Sequence, residues 1–427
     1  MKGFAVDFIP VIGEGVALTA QQRALLEQVH ALGRDRFAAR AAQWDAQASF
    51  PFANYDDLRN AGLLALCVPA AHGGLGADYA TYMMTAAEMG RFCGATALTF
   101  NMHICSTLWT GVLADGVQMS AAQRSEHAAR RALHFERVVG HGAIYAQPFS
   151  EGTAAAAGRA PFGTTARKAV RGGVSGWVIN GRKIWASLSG AADYYGILCT
   201  EDTGEHALDT RDTLYIAVPA TAPGLTISGD WDPMGMRGTV SRNLAFDDVF
   251  VSDDEQLLPR GVYYTAAQTW PQMFFTLCPT YLGIAQAAYD FTVRYLRGEV
   301  PGEPPVKRRQ FPTKQLFTAQ MRVQLEGMRA LFRSVLHDVK PHPSKGERMQ
   351  LYAAHYSIMQ GANDLCALAI RICGGQSMMK HLPLERLYRD SRCGALMLPW
   401  TAELVLDRMG RECLYEPGER DAEPART

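Results

Sequence analysis

The chain has no surplus of either charge: Lys and Arg number 42, Asp and Glu 42. That balance leaves no electrostatic footprint for nucleic acid, an anionic membrane or a polyanionic partner. Cysteine is sparse and dispersed, 9 in 427 residues, and none falls at metal-ligand spacing, so no metal site is expected. An odd, scattered set points to reduced thiols and a cytoplasmic location. No uncharged apolar run reaches ~18 residues, so no transmembrane helix is expected. Met1-Lys2-Gly3-Phe4 lacks the sections of a secretory signal. No Gly-x-Gly-x-x-Gly follows a strand-type run, which argues against a Rossmann site. There is no internal repeat. What is present is an ordinary globular composition, 48% hydrophobic and 20% charged, long enough for two or three domains.

Hydrophobic spacing divides the chain into α, then β, then α. Leu25, Leu26, Val29, Leu32 and Phe37 recur at helical period behind Thr19, a cap-forming residue. A helix is expected from Asn54, a breaker-rich loop at Pro69 to Gly76, and two buried helices after Asp78, to Met89 and from Ala95 to Leu113. His103 lies inside the second of these, as a core histidine or a catalytic one. Short β-type runs follow: Ala143–Ala146, Trp177–Ile179, Tyr194–Cys199, Leu214–Val218, Leu225–Ser228 and Asn243–Phe246. Helical texture returns from Tyr263, with stretches at Thr313–Leu336, Gln350–Cys373 and Leu384–Cys413. The expected domains are residues 1–140 (helical), 141–255 (β) and 256–415 (helical), with a frayed tail at 416–427.

Asn180-Gly181, between alternating apolar residues, reads as a hairpin turn, because a type I′ turn needs two residues tolerant of positive φ. Past it, Trp185 and Ser187 are expected on one face of a strand. An indole beside a hydroxyl suits a flat aromatic ligand with polar edges.

Taken in order, several motifs resemble those of the acyl-CoA dehydrogenase superfamily. They include Val68-Pro69 with Gly73-Gly74-Leu75-Gly76, Gln147-Pro148-Phe149-Ser150-Glu151 and Asn180-Gly181-Arg182-Lys183-Ile184-Trp185. Met234-Gly235-Met236-Arg237-Gly238-Thr239, Phe246 to Val251, Gly374-Gly375 and Pro383 to Asp390 complete the series. The resemblance implies an α+β architecture: an N-terminal helical domain, a middle β-barrel-like domain and a C-terminal four-helix bundle, assembled as a homotetramer or homodimer. It implies FAD, with Trp185 and Ser187 beside the ring and Ser150 at its pyrimidine edge. Arg308 and Phe311 would meet the phosphates and adenine of a neighbouring subunit's cofactor. Arg371 would meet phosphate, and Gly374 and Gly375 would let backbone approach the cofactor.

The family's catalytic glutamate is missing. Counting from Arg389 places Leu398 where most relatives carry that base, and counting back from Leu282-Gly283 places Met273 at the alternative position. Phe274 stands where many relatives hold an arginine near the thioester carrier. Our leading expectation is dehydrogenation of an acyl thioester, on CoA or a carrier protein, with Glu403 as a recruited base and an electron-transfer partner. Flavin-dependent monooxygenation is the alternative: a flavin reductase supplies electrons, and Met273, Phe274, Leu398 and Trp400 shelter the site while His103 and Ser150 hydrogen-bond oxygen. A flavin-binding scaffold without catalysis is the third.

Overall fold

The computed structural model describes residues 8–416, 418, 419 and 421. Met1 to Phe4 and most of the expected tail lie outside the described residues. The N-terminal region holds α1 (Ala20–Leu32), α2 (Ala38–Gln47), α3 (Phe52–Asn60), α4 (Tyr79–Gly90), α5 (Gly94–Leu108) and α6 (Ala121–His141). Thr19 caps α1 in a reciprocal box: its hydroxyl accepts from Gln22 N–H at 3.1 Å, and the Gln22 side chain accepts from Thr19 N–H at 3.0 Å. Asp78 caps α4 by accepting from Thr81 N–H at 2.8 Å. α4 and α5 are buried along nearly their whole length. The helix expected to Leu113 instead leaves α geometry at Trp109, where a π turn containing Gly111 begins.

The middle region is one eight-stranded sheet. Its strands are β1 (Tyr145–Ala146), β2 (Thr165–Arg171), β3 (Val174–Ala186), β4 (Tyr194–Glu201), β5 (Thr213–Pro219), β6 (Leu225–Ser228), β7 (Arg242–Ser252) and β8 (Gln256–Leu258). They run in the order β6-β7-β3-β2-β4-β5-β8, with β1 paired to β4.

Here the hairpin expectation fails. Asn180 and Gly181 lie inside β3, at an irregularity in its pairing with β7, and Asn180 Oδ1 accepts from Asp248 N–H at 2.9 Å. The hairpin turn is Gly172-Gly173, with φ of +59° and +81°, joining Arg171 to Val174. β2 escaped the sequence reading because it is polar and mostly solvent-facing, so its place is set by main-chain pairing to β3 rather than by an apolar stripe.

The C-terminal region comprises α7 (Val262–Thr269), α8 (Cys278–Arg297), α9 (Pro312–His337), α10 (Lys345–Cys373), α11 (Leu384–Gly394) and α12 (Ala402–Leu414). α10 packs against α8, α9, α11 and α12. The single stretch expected at Leu384–Cys413 is thus two helices, divided by the Ala395–Thr401 loop. α8 crosses α4 at Gly283, where a Cβ would stand 2.3 Å from Ala87 O, so only glycine permits this approach.

Two polar clasps join the regions. Arg389 reaches Asp45 (2.6 and 2.9 Å), Glu385 and Met234 O, while Asp390 accepts from Met236 N–H at 2.6 Å. The Met234–Thr239 and Arg389-Asp390 motifs therefore hold each other. At the N-terminus, Val11 N–H donates to buried Glu88 at 2.9 Å, and buried Arg329 donates to Val11 O at 2.8 Å. No helix among the described residues is long and apolar enough to cross a membrane.

Candidate functional site

β3 carries the polar wall. Burial of Lys183 at its centre would be costly alone, but its ammonium donates to Glu151 at 2.6 Å and to Leu198 O at 2.6 Å. Glu151 also accepts from Gly163 N–H (2.7 Å) and Thr164 N–H (3.1 Å). Burial opposes its charge, yet Lys183 and these donors together hold the carboxyl below the usual range. Ile184 N–H donates to Ser150 O at 2.8 Å. The Gln147–Glu151 loop is thereby riveted to β3, and Ser150 is set near its end.

Beyond Ile184 the regular alternation stops. Trp185 has φ of +55°, and Ser187 lies in the following turn, so the two do not share a strand face as expected. Leu188 (+65°), Met236 (+53°) and Val240 (+46°) are also left-handed. Each such non-glycine residue costs roughly 1–2 kcal/mol. The two segments sustain one another through Leu188 N–H to Thr239 O (3.0 Å) and Ser189 N–H to Val240 O (3.1 Å). The strain leaves the Trp185 indole 63% exposed, edge-on to Trp231 with centroids 5.7 Å apart. Such left-handed strain persists only where the surrounding structure holds it.

Next to it runs a chain of hydroxyls. Thr239 O–H donates to Met236 O at 2.9 Å. Ser241 Oγ, 2.8 Å from Thr239 Oγ1, must then donate to it, and Ser187 Oγ, 2.8 Å from Ser241 Oγ, must donate in turn. Ser187 is left facing outward as an acceptor. Sequence reading found Ser187 but assigned no role to Ser241, Thr239 or Trp231; the Met-Gly-Met-Arg-Gly-Thr motif was their only signal.

The apolar wall is built from the loop before α8 and the loop before α12. Met273 and Trp400 are buried, Phe274 and Leu398 half-buried, and the Phe274 and Trp400 rings lie 5.5 Å apart. His355 of α10 packs on Trp400 at 5.5 Å, with neither ring nitrogen hydrogen-bonded; burial pushes its pKa down to about 3, so it is neutral.

Two expected catalytic groups are corrected. His103 is spent on main chain: Nε2 donates to Leu64 O at 2.8 Å, Nδ1 accepts from Tyr145 N–H at 3.0 Å, and burial pushes its pKa down to about 4. It fastens α5 to β1. Glu403 is exposed in the first turn of α12, where a carboxylate complements the helix N-terminus, and it does not enter the apolar wall.

The expected phosphate-binding group stands at the ends of α8, α9 and α10. Arg308 lies 4.6 Å over Tyr295, Phe311 is exposed, and Arg371 lies 4.9 Å over Phe317. Gly374 has φ of +84°, and a Cβ on Gly374 or Gly375 would meet nothing of this chain within 4 Å. Lys314 Nζ donates to Ile372 O beside them.

A helical region, a sheet with a strained polar rim and a closing helical bundle define the architecture, and comparisons give the family. The N-terminal, middle and C-terminal domain models of acyl-CoA dehydrogenase match residues 19–118, 151–249 and 264–398. The chain belongs to the acyl-CoA dehydrogenase family. It is 27% identical over 390 residues to the human mitochondrial short-chain specific acyl-CoA dehydrogenase, covering 89% of this chain and 87% of that one. It is 30% identical over 404 residues to L-evernosamine nitrososynthase from Micromonospora sp., with the same shares covered, 89% and 87%. Among solved structures, FMN-bound TdsC from Paenibacillus sp. A11-2 superimposes with a TM-score of 0.77 at 21% identity, covering 92% of this chain and 97% of that one. TdsC is described as a dibenzothiophene monooxygenase.

Proposed function

We propose that this protein is a flavin-dependent monooxygenase that uses reduced flavin and O₂ on a largely apolar small molecule. One observation carries the reading: the wall at the family's base positions is Met273, Phe274, Leu398 and Trp400, while Glu403 faces solvent and His103 is consumed by backbone. Abstraction of an acyl α-proton needs a carboxylate in a dry pocket; insertion of one oxygen atom from O₂, the other leaving as water, does not.

The residues present fit a flavin. Trp185 supplies the aromatic platform, and Ser187, fixed as an acceptor by Ser241 and Thr239, suits the N5–H of the reduced ring. Ser150 supplies a polar edge, and Arg308, Phe311, Arg371, Gly374 and Gly375 are the residues for the adenine and phosphates of a neighbouring subunit's FAD. The flavin supplies two-electron transfer and oxygen activation; the protein orients the ring and excludes water. A flavin reductase provides the electrons. The nitrososynthase and monooxygenase relatives support this reading, and the human dehydrogenase relative keeps acyl-thioester dehydrogenation as the second.

The test is a pair of mixing experiments. Anaerobic mixing with a panel of acyl-CoAs is expected to leave the flavin absorbance unchanged. NADH, flavin reductase and O₂ with a panel of amines, sulfides and heteroaromatics is expected to yield a product one oxygen heavier. Glu403→Gln should change that rate by less than about twofold. Bleaching of the flavin by an acyl-CoA, lost in Glu403→Gln, would return the protein to the dehydrogenases.

A further inference from the structure

A separate cavity has no part in the site above. It is a cleft of about 1190 Å³ where α1, α2, the β6–β7 loop, α8 and α11 meet, and its charges do not balance. Four carboxylates line it, and each is already paired: Asp45 and Glu385 with Arg389, Asp290 with Arg91, and Asp232 with Arg237. Arg34 is answered by Asp35, and the imidazoles of His30 and His381 meet Glu88 and Glu303. Arg294 and Lys380 have no ion-pair partner among the described residues, and Arg386 has only the charge of buried Asp390 near it. Arg386 lines both the cleft and a small neighbouring chamber, and its Nη1 is buried with no hydrogen-bond partner. A buried guanidinium N–H without an acceptor is costly, and a guanidinium is shaped for two phosphoryl oxygens at once. Phe92 and Phe291 add aromatic surface to the lining.

We infer that this cleft binds a nucleoside diphosphate, the phosphates on Arg386, Arg294 and Lys380 and the base against the aromatic side. The cleft is larger than the ~300–1,000 Å³ typical of small-ligand pockets, so it admits a ligand well beyond a single phosphate. The inference does not depend on the monooxygenase reading, because none of these residues belongs to the proposed flavin site.

The experiment is calorimetric titration of the full-length protein with ADP, before and after saturation with FAD, alongside inorganic phosphate. One ADP per chain is expected, bound at least tenfold more tightly than phosphate, weakened by added salt and unaffected by FAD. Arg386→Gln and Arg294→Ala should each weaken ADP at least tenfold while FAD uptake is unchanged. Arg294 is exposed on α8, so its variant keeps the test open if Arg386→Gln fails to fold. Absence of ADP binding, displacement of ADP by FAD, or an affinity unchanged in the variants would each overturn the inference. A chain that takes up no flavin sinks the flavin reading instead, and the two variants still decide the cleft from ADP alone.

Discussion

The two walls of the candidate site are made in opposite ways. The β3 wall is polar and strained: four non-glycine residues in left-handed backbone, a buried ion pair and a directed hydroxyl chain expose one indole. The other wall, at Met273, Phe274, Leu398 and Trp400 in the loops before α8 and α12, is apolar and aromatic. Strain and buried charge are retained only where surrounding structure compensates them. Here both are concentrated on one wall. The other wall has no carboxylate among Met273, Phe274, Leu398 and Trp400.

The largest effect is expected from breaking the polar wall at its foundation. Lys183→Ala leaves Glu151 buried without its cation and should cost about 3–5 kcal/mol in urea unfolding. The paired replacement of Lys183 by Met and Glu151 by Gln should recover most of that loss. A cost below about 1 kcal/mol would mean that the pair does not support the wall.

The second test separates binding from stability at the same wall. Trp185→Gly removes an exposed side chain and relieves left-handed strain of roughly 1–2 kcal/mol, against loss of an edge-on ring contact of about 0.5–1.5 kcal/mol. The midpoint of thermal unfolding should therefore stay level or rise, while flavin affinity drops by about tenfold or more. Unchanged flavin affinity would remove Trp185 from the platform.

A third test concerns the clasp between Met236 and Asp390. Burial raises Asp390 to about 6 in the fold, against about 3.9 in an unfolded chain. Between those values the folded form holds more proton. The residue's contribution is therefore full below about pH 4 and declines as pH rises to 6, by about 3 kcal/mol. Asp390→Asn keeps an acceptor for Met236 N–H but cannot ionise. It should gain on the wild type by that amount between pH 4 and 7 in urea unfolding. Parallel pH profiles would show that Asp390 is not raised.

The sequence carried the layer order well, because helical period and caps such as Thr19 and Asp78 act locally. It misplaced the hairpin, since Asn180-Gly181 and Gly172-Gly173 both tolerate positive φ and only the pairing of polar β2 decides between them. Counting from Arg389 and from Gly283 led to Leu398 and Met273, apolar residues that the fold places in the loops before α12 and α8. The solvent position of Glu403 was not legible, because the break between α11 and α12 lies within one apparently continuous helical stretch. The hydroxyl chain was invisible for a further reason: Ser187 and Ser241 are 54 positions apart and meet only when β3 and the Thr239 turn come together.

The N-terminal clasp has a consequence for the order in which the protein is made. Val11 is held on one side by Glu88 and on the other by Arg329, a partner 318 residues further along. On the ribosome, Glu88 and the α4 surface exist long before α9 emerges, so Val11 can be held on both sides only after Arg329 has been made. Until then the first region is an unfinished surface. Chains released before Arg329 is translated should be open to proteases at their N-termini, whatever the quality of the helices already folded.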